Sequence, residues 1–504
     1  MKKIKNLKDL IKSFKDEKKL ALVVDGKEIT YDNIYRDILI FSFKICKKSK
    51  GKKLNIGIIS NDPYENIIAI FAIIHAGSIP IPISNFNFFL KKQSLKKEFK
   101  IKILIIGKKQ KKQITKKNKV IKFCLSSLSN RIFKKKFTNK KINESDTAII
   151  LLTSGTSGLK KGVMLSHNNL LRTSHNLNNF MKIKKNIIEY LMAPLTNSFG
   201  FARLRSIFLK KGCLVVDSGF FNPLLMLRRL EKYNINSISG VPSSFAMLLS
   251  LPLRSLKKLR NKLIWAEIGS APMQKKHKIR LLKLFPYQRI VYHYGLTEAS
   301  RSTLINLSNG FKNIETVGKA SPGIKIMICD RNRKIIRKKD TIGEIVIKGY
   351  NVAKGYCNLY SENFADNKFY SGDLGSIDKN GYISFHGRKD DLINVSGVKI
   401  SPVILENLIN KKIPLGCEFA IYASPKKHSI HGQTVGLFIK KKIDLKNKIS
   451  KINNILTHHG MPKEGKIKDI IYVKNFPKTL NGKIKRSLLK YYLSNKKIYT
   501  HDNI

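Results

Sequence analysis

Between about residue 20 and residue 145 the chain alternates short apolar runs with longer stretches of helical periodicity, and that rhythm limits the folds open to it. Asn55 to Ile59, Ile79 to Ile83 and Ile101 to Ile106 are isoleucine-rich runs of the length of strands buried on both faces. Tyr31 to Lys47 and Pro63 to His75 carry the 3.6-residue spacing of helices. Parallel strands need a crossover between them, so this alternation predicts parallel α/β layers. Residues 148 to 330 continue in the same style, with strands expected at Cys213 to Val216, Ser237 to Gly240 and Leu263 to Ile268. From Gly323 to Gly349 the periodicity becomes that of β structure without long helices, which predicts a small antiparallel or barrel-like module. After Arg388 the pattern predicts a strand pair, a helix near Val403 to Asn410, two further strands and a terminal helix near Arg486 to Leu493. A chain of 504 residues is too long for one compact core and must form at least two domains.

One of the strand-like runs ends in an unusual turn. Ala148 to Leu152 is apolar and leads into Thr153, Ser154, Gly155, Thr156, Ser157 and Gly158, with Lys160, Lys161 and Gly162 just behind. Small residues let the backbone fold closely round an anion, and its N–H groups, the hydroxyls and a nearby cation can together hold a polyphosphate. The pattern G-x-x-x-x-G-K-[ST] is absent, so this is not a Walker loop. A flexible linker has similar composition, but linkers do not usually follow directly on a buried strand.

Bulk properties exclude several classes. The longest apolar stretch, Ile67 to Ile83, is interrupted by His75, Gly77, Ser78, Pro80 and Pro82, and reads as a buried helix, a turn and a strand rather than a membrane span. Asn6 to Lys19 is highly charged and lacks the apolar core of a signal peptide. The six cysteines are scattered without a C-x-x-C pair, which suits a reduced cytoplasmic protein without a cysteine-held metal. The formal charge of +65 would suit a nucleic-acid binder. The lysines, however, are spread along the whole chain together with abundant Ile and Asn, as in an AT-biased genome. No basic-aromatic stripe or zinc finger accompanies them, and no specific nucleic-acid partner is expected.

Further motifs follow the Thr/Ser/Gly turn in order. They are Tyr292-His293-Tyr294-Gly295-Leu296-Thr297-Glu298, then Tyr370-Ser371-Gly372-Asp373, then Gly387-Arg388-Lys389-Asp390-Asp391 with Ser396-Gly397-Val398-Lys399, and finally Pro477-Lys478-Thr479-Leu480-Asn481-Gly482-Lys483-Ile484. Each alone is an ordinary turn or a single cation among many. Together, with Gly269-Ser270-Ala271-Pro272 and the strand Gly343 to Gly349, they resemble the AMP-forming acyl-CoA synthetase and ligase superfamily over nearly the whole chain. The resemblance implies a large N-terminal domain of two α/β subdomains plus a small β-barrel-like module (residues 1–387), a small mobile α+β C-terminal domain (388–495) and a tail (496–504).

The resemblance also implies roles. Thr153 to Gly158 and Lys161 would handle the β- and γ-phosphates of ATP, and Thr297 and Glu298 the α-phosphate and Mg2+. Magnesium prefers hard oxygens and keeps phosphates and waters, so one protein carboxylate can serve. Tyr294 and Gly295, with Gly269, Ser270, Ala271 and Pro272, would flank the adenine. Asp373 and Arg388 would hold the ribose, Asp390 would be the hinge, and Gly397 would let the pantetheine arm of CoA pass. Lys483 would bridge the substrate carboxylate and the α-phosphate. The implied reaction joins a small carboxylic acid to a thiol, either that of CoA or the phosphopantetheine of an acidic acyl-carrier protein.

The chain departs from the family pattern in two places. Asn197 stands where many relatives have a histidine that gates the acyl pocket, and Ser198 cannot pair with a substrate ammonium, which disfavours an α-amino acid. Asn197, Ser198, Phe199 and Val241 are the expected pocket residues, with Phe201 beside them, and both aliphatic and aryl acids remain open. Val403-Ile404-Leu405-Glu406 keeps only the second acid of an E-x-E pair.

Overall fold

A computed structural model describes residues 4–83, 94–108, 120–122, 141–154, 160–184, 186–219, 221–395, 398–412, 415, 417–424, 433–440, 446–458, 466–478, 484–486, 488–489 and 498–500. The chain divides into two units, Met1–Ile326 with Ile347–Phe369, and Met327–Val346 with Tyr370–Ile504.

The first unit is α/β, as the alternation predicts. Its larger sheet has nine strands in the order Lys319–Ala320, Thr303–Asn306, Arg289–Tyr294, Trp265–Ile268, Ser237–Gly240, Ile188–Met192, Cys213–Val216, Leu20–Val24 and Lys27–Thr30. The central strands run parallel, and the antiparallel pairings lie toward the two edges. A second, parallel sheet orders Ile79–Pro82, Asn55–Ile59, Ile101–Ile106 and Val120–Lys122.

Local chemistry sets the boundaries of the helices. The helix Tyr31–Ser49 starts at a capping box in which Thr30 and Asn33 satisfy each other's backbone N–H, and it ends at Lys50 in the left-handed region. Asp62 caps Pro63–His75 by accepting from the Tyr64 and Glu65 N–H groups, and proline at the first position lacks the N–H that would be an orphan there. That helix is buried almost throughout. Gly77, at φ 73°, turns the chain into the strand Ile79–Pro82. The apolar stretch from Ile67 is therefore helix, turn and strand, and among the described residues no helix is long and apolar enough to cross a membrane. Phe14, Tyr31, Phe71 and Phe208 pack ring against ring in the core, the Phe14 and Tyr31 centroids lying 5.1 Å apart.

The strands Thr147–Ser154 and Lys160–Ser166 form an antiparallel hairpin with Thr153 opposite Lys161 and Ser154 opposite Lys160. The β-rich module is a five-stranded sheet of Ile324–Cys329, Gly343–Gly349, Lys368–Ile377, Phe364–Ala365 and Ile383–Arg388. The division between the units passes through three of these strands.

In the second unit a short strand pair, Ile393–Val395 with Val398–Ile400, precedes the helix Pro402–Lys412, as expected. A four-stranded sheet follows, of Phe419–Ala423, Val435–Ile439, Ile467–Tyr472 and Ile498–Thr500. The helix Lys446–His458 was not anticipated, and the sheet has four strands where two were expected. Ile449, Ile452 and Leu456 face the core at helical spacing, but Lys and Asn between them dilute the signal. Of the expected terminal helix, the described residues Arg486, Leu488 and Leu489 form tight 3₁₀-type turns.

Candidate active site

Four loops of the first unit leave the carboxyl ends of four neighbouring parallel strands. Ile188–Met192 leads to Asn197, Ser198 and Phe199; Ser237–Gly240 to Val241; Trp265–Ile268 to Gly269, Ser270, Ala271 and Pro272; and Arg289–Tyr294 to Gly295, Thr297 and Glu298. This edge is where open parallel sheets bind ligands, because loops there converge while the strands stay rigid.

The Tyr294 loop is tightly closed. Leu296 and Ala299 exchange backbone hydrogen bonds of 3.0 and 3.2 Å, and any Cβ on Gly295 would strike the Arg301 nitrogen and the Ala299 carbonyl. Thr297 is half-buried. Glu298 is buried; its Oε1 accepts from the Tyr356 hydroxyl at 2.9 Å and its backbone carbonyl accepts from Ala353 N at 2.8 Å. Lys161 Nζ lies 5.1 Å from the centroid of the same tyrosine ring. One tyrosine thus joins the cation behind the Thr/Ser/Gly turn to the acid of the Tyr-Gly-Leu-Thr-Glu motif.

Tyr356 and Asn358 were missed in the sequence. Asn358 Oδ1 accepts from Gly162 N at 3.0 Å and its Nδ2 donates to Lys160 O at 2.9 Å, which pins the stem of the hairpin. Gly355-Tyr356-Cys357-Asn358 has no periodicity to single it out, and only its pairing with residues 160–164 reveals its role.

The Gly269 loop and the Asn197 loop meet at His293. A Cβ on Gly269 would come within 2.1 Å of the His293 ring, and the Phe199 ring stacks against that imidazole, 5.5 Å between centroids at 15°. Ser270 sits at φ 72°, the left-handed region that disfavours a residue with a Cβ, and Tyr292 donates its hydroxyl to Ala271 O at 3.1 Å. Asn197 occupies the N-cap of the helix Ser198–Leu209 without a side-chain capping bond, and a Cβ on Gly200 would strike the Pro194 carbonyl. Val241 is buried at the start of Pro242–Leu249, and Gly269 N donates to the preceding Gly240 O at 3.4 Å.

Beneath these loops lies a buried ionic cluster that the sequence did not announce. Arg203 pairs with Glu189 at 2.6 Å and with Glu267 at 2.8 Å, all three side chains being 0% exposed. Arg301 Nε and His293 Nδ1 each lie 2.9 Å from Glu267 Oε1. The Arg203 guanidinium also covers the Trp265 ring at 4.7 Å. Burial alone would raise the Glu267 carboxyl, but the Arg301 and Arg203 charges hold it well below the usual carboxylate range. Burial pushes the His293 imidazole down despite Glu267, so it is neutral near pH 7.

The second unit carries the remaining described site residues. Asp373 and Arg388 face each other across the strands Lys368–Ile377 and Ile383–Arg388, with Arg388 Nη1 3.0 Å from Asp373 Oδ1. Asp373 is buried. Its N–H donates to Ser371 Oγ at 3.0 Å, and Gly372, at φ 69°, donates to Glu344 at 2.9 Å. Asp390 lies in the 3₁₀ turn that follows, 3.9 Å from Arg388. Lys478 pairs with Ile484, and Lys485 N donates to Pro477 O at 2.8 Å, so the ends of the Pro-Lys-Thr motif are drawn together. Arg486, next in the chain, makes a bidentate pair with Glu406, whose Oε1 also accepts from Ile421 N at 2.8 Å. Glu406, left over from the incomplete E-x-E pair, therefore anchors the base of that motif, and Asp391 lies 3.9 Å from Arg486.

Gly155, Thr156, Ser157, Gly158, Gly397 and Lys483 lie outside the described residues, as does the side chain of Ser154. Thr153, Lys161, Thr297, Glu298 and the loops at Asn197, Val241 and Gly269 belong to the first unit. Asp373, Arg388 and Asp390 belong to the second.

A sequence profile of the AMP-binding enzymes matches residues 12–357. The chain belongs to that family. Among members of the AMP-binding enzyme family, it is 32% identical over 361 residues to oxalate--CoA ligase of Saccharomyces cerevisiae, covering 68% of this chain and 63% of the yeast protein. It is 28% identical over 361 residues to long-chain-fatty-acid--CoA ligase of Bacillus subtilis, covering 69% of this chain and 62% of that protein. The matched part thus spans under two thirds of the length of either relative. The fold is shared with ATP-bound MatB of Rhodopseudomonas palustris, with a TM-score of 0.83, 23% identity and coverage of 96% of this chain and 98% of MatB. It is shared too with o-succinylbenzoate CoA synthetase (MenE) of Bacillus subtilis holding its acyl-adenylate, with a TM-score of 0.79, 18% identity and coverage of 96% and 98%.

Proposed function

We propose that this chain activates a carboxylic acid with ATP and transfers the acyl group to the thiol of CoA, as an AMP-forming acid–thiol ligase. The observation that carries this reading is the line from Lys161 across Tyr356 to Glu298, which places a cation and a buried acid from two distant motifs on one tyrosine. The names of the yeast and Bacillus relatives point the same way.

In the first step an oxygen of the substrate carboxylate attacks the α-phosphorus, the bond to the β-phosphate oxygen breaks, and pyrophosphate leaves. Two anions must approach, so catalysis is mainly alignment and charge neutralisation. Thr153 to Gly158 and Lys161 cradle the outer phosphates, and Thr297 reaches the α-phosphate. The residues present fit Mg2+: the buried Glu298 carboxylate, a hard oxygen donor held by the Tyr356 hydroxyl, would be its protein ligand. Magnesium there would neutralise phosphate charge and fix the triphosphate in line. Tyr356 orients Glu298 for this task. Asp373, itself oriented by Arg388, accepts the ribose hydroxyls, and the Tyr294 and Gly269 loops flank the adenine. Lys483 bridges carboxylate and α-phosphate as charge builds between them.

In the second step the thiol sulfur attacks the acyl carbon, the bond to the AMP oxygen breaks, and the thiol proton leaves. Lys483 must be withdrawn for this step, and the segment after Arg388 reorients about Asp390, bringing Gly397 to the pantetheine arm. Substitution of Lys483 separates the two steps. Lys483→Ala should slow acid-dependent pyrophosphate release about 10²-fold or more. Thioester formation from pre-made acyl-adenylate should suffer far less. Equal losses in both, or no pyrophosphate release from a wide panel of acids in the wild type, would defeat the proposal.

A further inference from the structure

Residues 295–300, the loop that carries Thr297 and Glu298, are closed on themselves and have both ends on one oxygen atom. Leu296 and Ala299 exchange backbone hydrogen bonds across the loop. Just before it, His293 Nδ1 lies 2.9 Å from Glu267 Oε1. Just after it, Arg301 Nε donates to the same oxygen at 2.9 Å. The other Glu267 oxygen faces Arg203 Nη1 at 2.8 Å. Arg203 stands one turn along the helix Ser198–Leu209 from Phe199, so the two share a face. The Phe199 ring contacts both arms, stacked on His293 at 5.5 Å and with the Arg301 guanidinium 5.2 Å from its centre. Glu267 itself comes two residues before Gly269. One carboxylate is therefore tied to the stems of three of the four loops that leave this edge of the sheet.

A cluster of buried ions is a poor device for merely holding a sheet together, because well-packed apolar side chains do that at least as well. What charges add is direction. An oxygen shared by two donors fixes the angle between the residues that bear them as well as their distance. The backbone at the loop mouth is also under constraint. Arg301 sits at φ 51°, a conformation that costs energy in a residue with a side chain, and a Cβ on Gly295 would come within 2.4 Å of its nitrogen. Strain of this kind persists where the surroundings over-determine the geometry. The imidazole has a fixed proton as well. The Arg301 and Arg203 charges keep Glu267 ionised, so Nδ1 turns its proton toward the carboxylate rather than a lone pair, although the approach is bent from the straight line of a hydrogen bond. The bare Nε2 is left on the side of Gly269, where a Cβ would come within 2.2 Å of it.

We propose that Glu267 is a positioning residue for the chemistry, which through His293 and Arg301 sets where Thr297 and Glu298 stand. The inference rests on the acid–thiol ligase reading, which gives Thr297 the α-phosphate and Glu298 the Mg2+. Glu267 touches no substrate; it holds a loop that must be in place as charge builds on the α-phosphate. A shift of about an ångström in such a loop can cost about 10²-fold in rate, because the reacting groups no longer align. That loss belongs to the transition state, so it falls on kcat rather than on the KM for ATP.

The test frees one end of the loop at a time. His293→Phe keeps a ring against Phe199 and loses the Nδ1 proton. His293→Asn loses the ring and returns a side-chain N–H to the place of Nδ1. Arg301→Lys keeps the charge and loses Nε. Acid-dependent pyrophosphate release is followed with oxalate, malonate, hexanoate, decanoate and benzoate, using the acid that the wild type takes best. His293→Phe and Arg301→Lys should each lower kcat at least about tenfold, with the KM for ATP changed less than about threefold. His293→Asn should recover most of that loss. The double variant should be hardly worse than either single one, since one freed end already frees the loop. Glu267→Asp, which keeps the charge and withdraws it from both arms, should match the double variant. A cluster that only supported the fold would give losses in kcat that follow the melting temperature, add in the double variant and do not recover in His293→Asn. That outcome, or an unchanged kcat in His293→Phe, overturns the proposal. Nitrogen-15 spectra of histidine-labelled protein give a reading without substrate. The His293 signals, identified by their loss in His293→Asn, should show a proton on Nδ1 and none on Nε2, and the reverse tautomer overturns the proposal. If no acid gives pyrophosphate release in the wild type, the ligase reading falls, and the tautomer alone decides whether Glu267 holds His293 as described.

Discussion

Two sets of ion pairs, one in each unit, differ in almost every physical respect. The cluster around Glu267 in the first unit is shut away from water, with Arg203, Glu189 and Glu267 all at 0% exposure. The pairs that follow Asp373 in the second unit reach into solvent, Arg388 being 24% and Asp390 52% exposed, with 3.9 Å between their charges. Buried charges lack water to screen or replace a lost partner, so their geometry is nearly obligatory. Half-exposed pairs contribute little and can be exchanged at little cost. A rigid floor beneath the loops of the first unit and a cheaply rearranged turn after Arg388 in the second are what the proposed two-step reaction, with its moving segment, would require.

The strongest way to break this contrast is Arg203→Met. It would leave Glu189 and Glu267 buried without their main cation, and unfolding in urea should show a loss of about 3–5 kcal/mol. A loss below 1 kcal/mol would mean that the cluster is not structurally obligatory.

Acid should sharpen the contrast next. Burial lowers His167 to about 4, and burial with the Lys8 and Lys12 charges lowers His75 to about 4. Both imidazoles are used neutral; Leu7 N donates to His167 Nδ1 at 3.2 Å, and Ser42 lies 3.0 Å from His75 Nδ1. As pH falls below about 6.5 the unfolded chain takes up these protons while the folded chain does not, so stability is lost progressively down to pH 4. Each histidine should account for about 3 kcal/mol of that loss, and His167→Asn, which retains an acceptor, should remove its share of the slope. A stability curve flat between pH 6.5 and 4 would contradict the neutral, buried assignment.

The smallest expected effect on stability belongs to Asp390, the proposed hinge. Asp390→Ala should change unfolding free energy by no more than about 0.5 kcal/mol. Asp390→Pro, which fixes φ near −65° and removes a backbone donor, should leave the first half-reaction and abolish thiol transfer. A folded Asp390→Pro enzyme running both steps at wild-type rates would show that the pivot lies elsewhere.

Much of the scaffold was legible because its signals are local. Asn55–Ile59, Cys213–Val216, Ser237–Gly240 and Pro63–His75 fall where periodicity and capping residues put them, since a buried parallel strand is a continuous apolar run and a capped helix announces both its ends. The helix Lys446–His458 was hidden because its apolar positions are few and its polar face is long. Among the candidate site residues, motifs of fixed spacing marked Thr297 and Glu298 in the first unit and Asp373 and Arg388 in the second. What they could not mark were partners chosen by folding. Tyr356 reaches Glu298 across 58 positions and Asn358 reaches Gly162 across 196, and neither belongs to a pattern that its own neighbours repeat. The cluster is the extreme case. Glu189, Arg203, Glu267 and Arg301 come from four separate elements, and their charges look like surface residues until the sheet brings them together. Ser270 adds a smaller lesson: its left-handed backbone at φ 72° belongs to a serine, a residue type that gives no sign of it in the sequence.

The chain contains a single tryptophan, and it is Trp265, buried on the central sheet beneath the Arg203 guanidinium. The protein therefore comes with its own optical probe at the centre of the ionic cluster. Emission from this indole should be blue-shifted by its dry surroundings and sensitive to any change in the field around it. Neutralising Glu189 or Glu267, the carboxylates that pair with Arg203, alters the field of the guanidinium that covers the chromophore. Titrations of the unlabelled wild type in a fluorimeter would then follow the state of this cluster directly, with no second tryptophan to subtract.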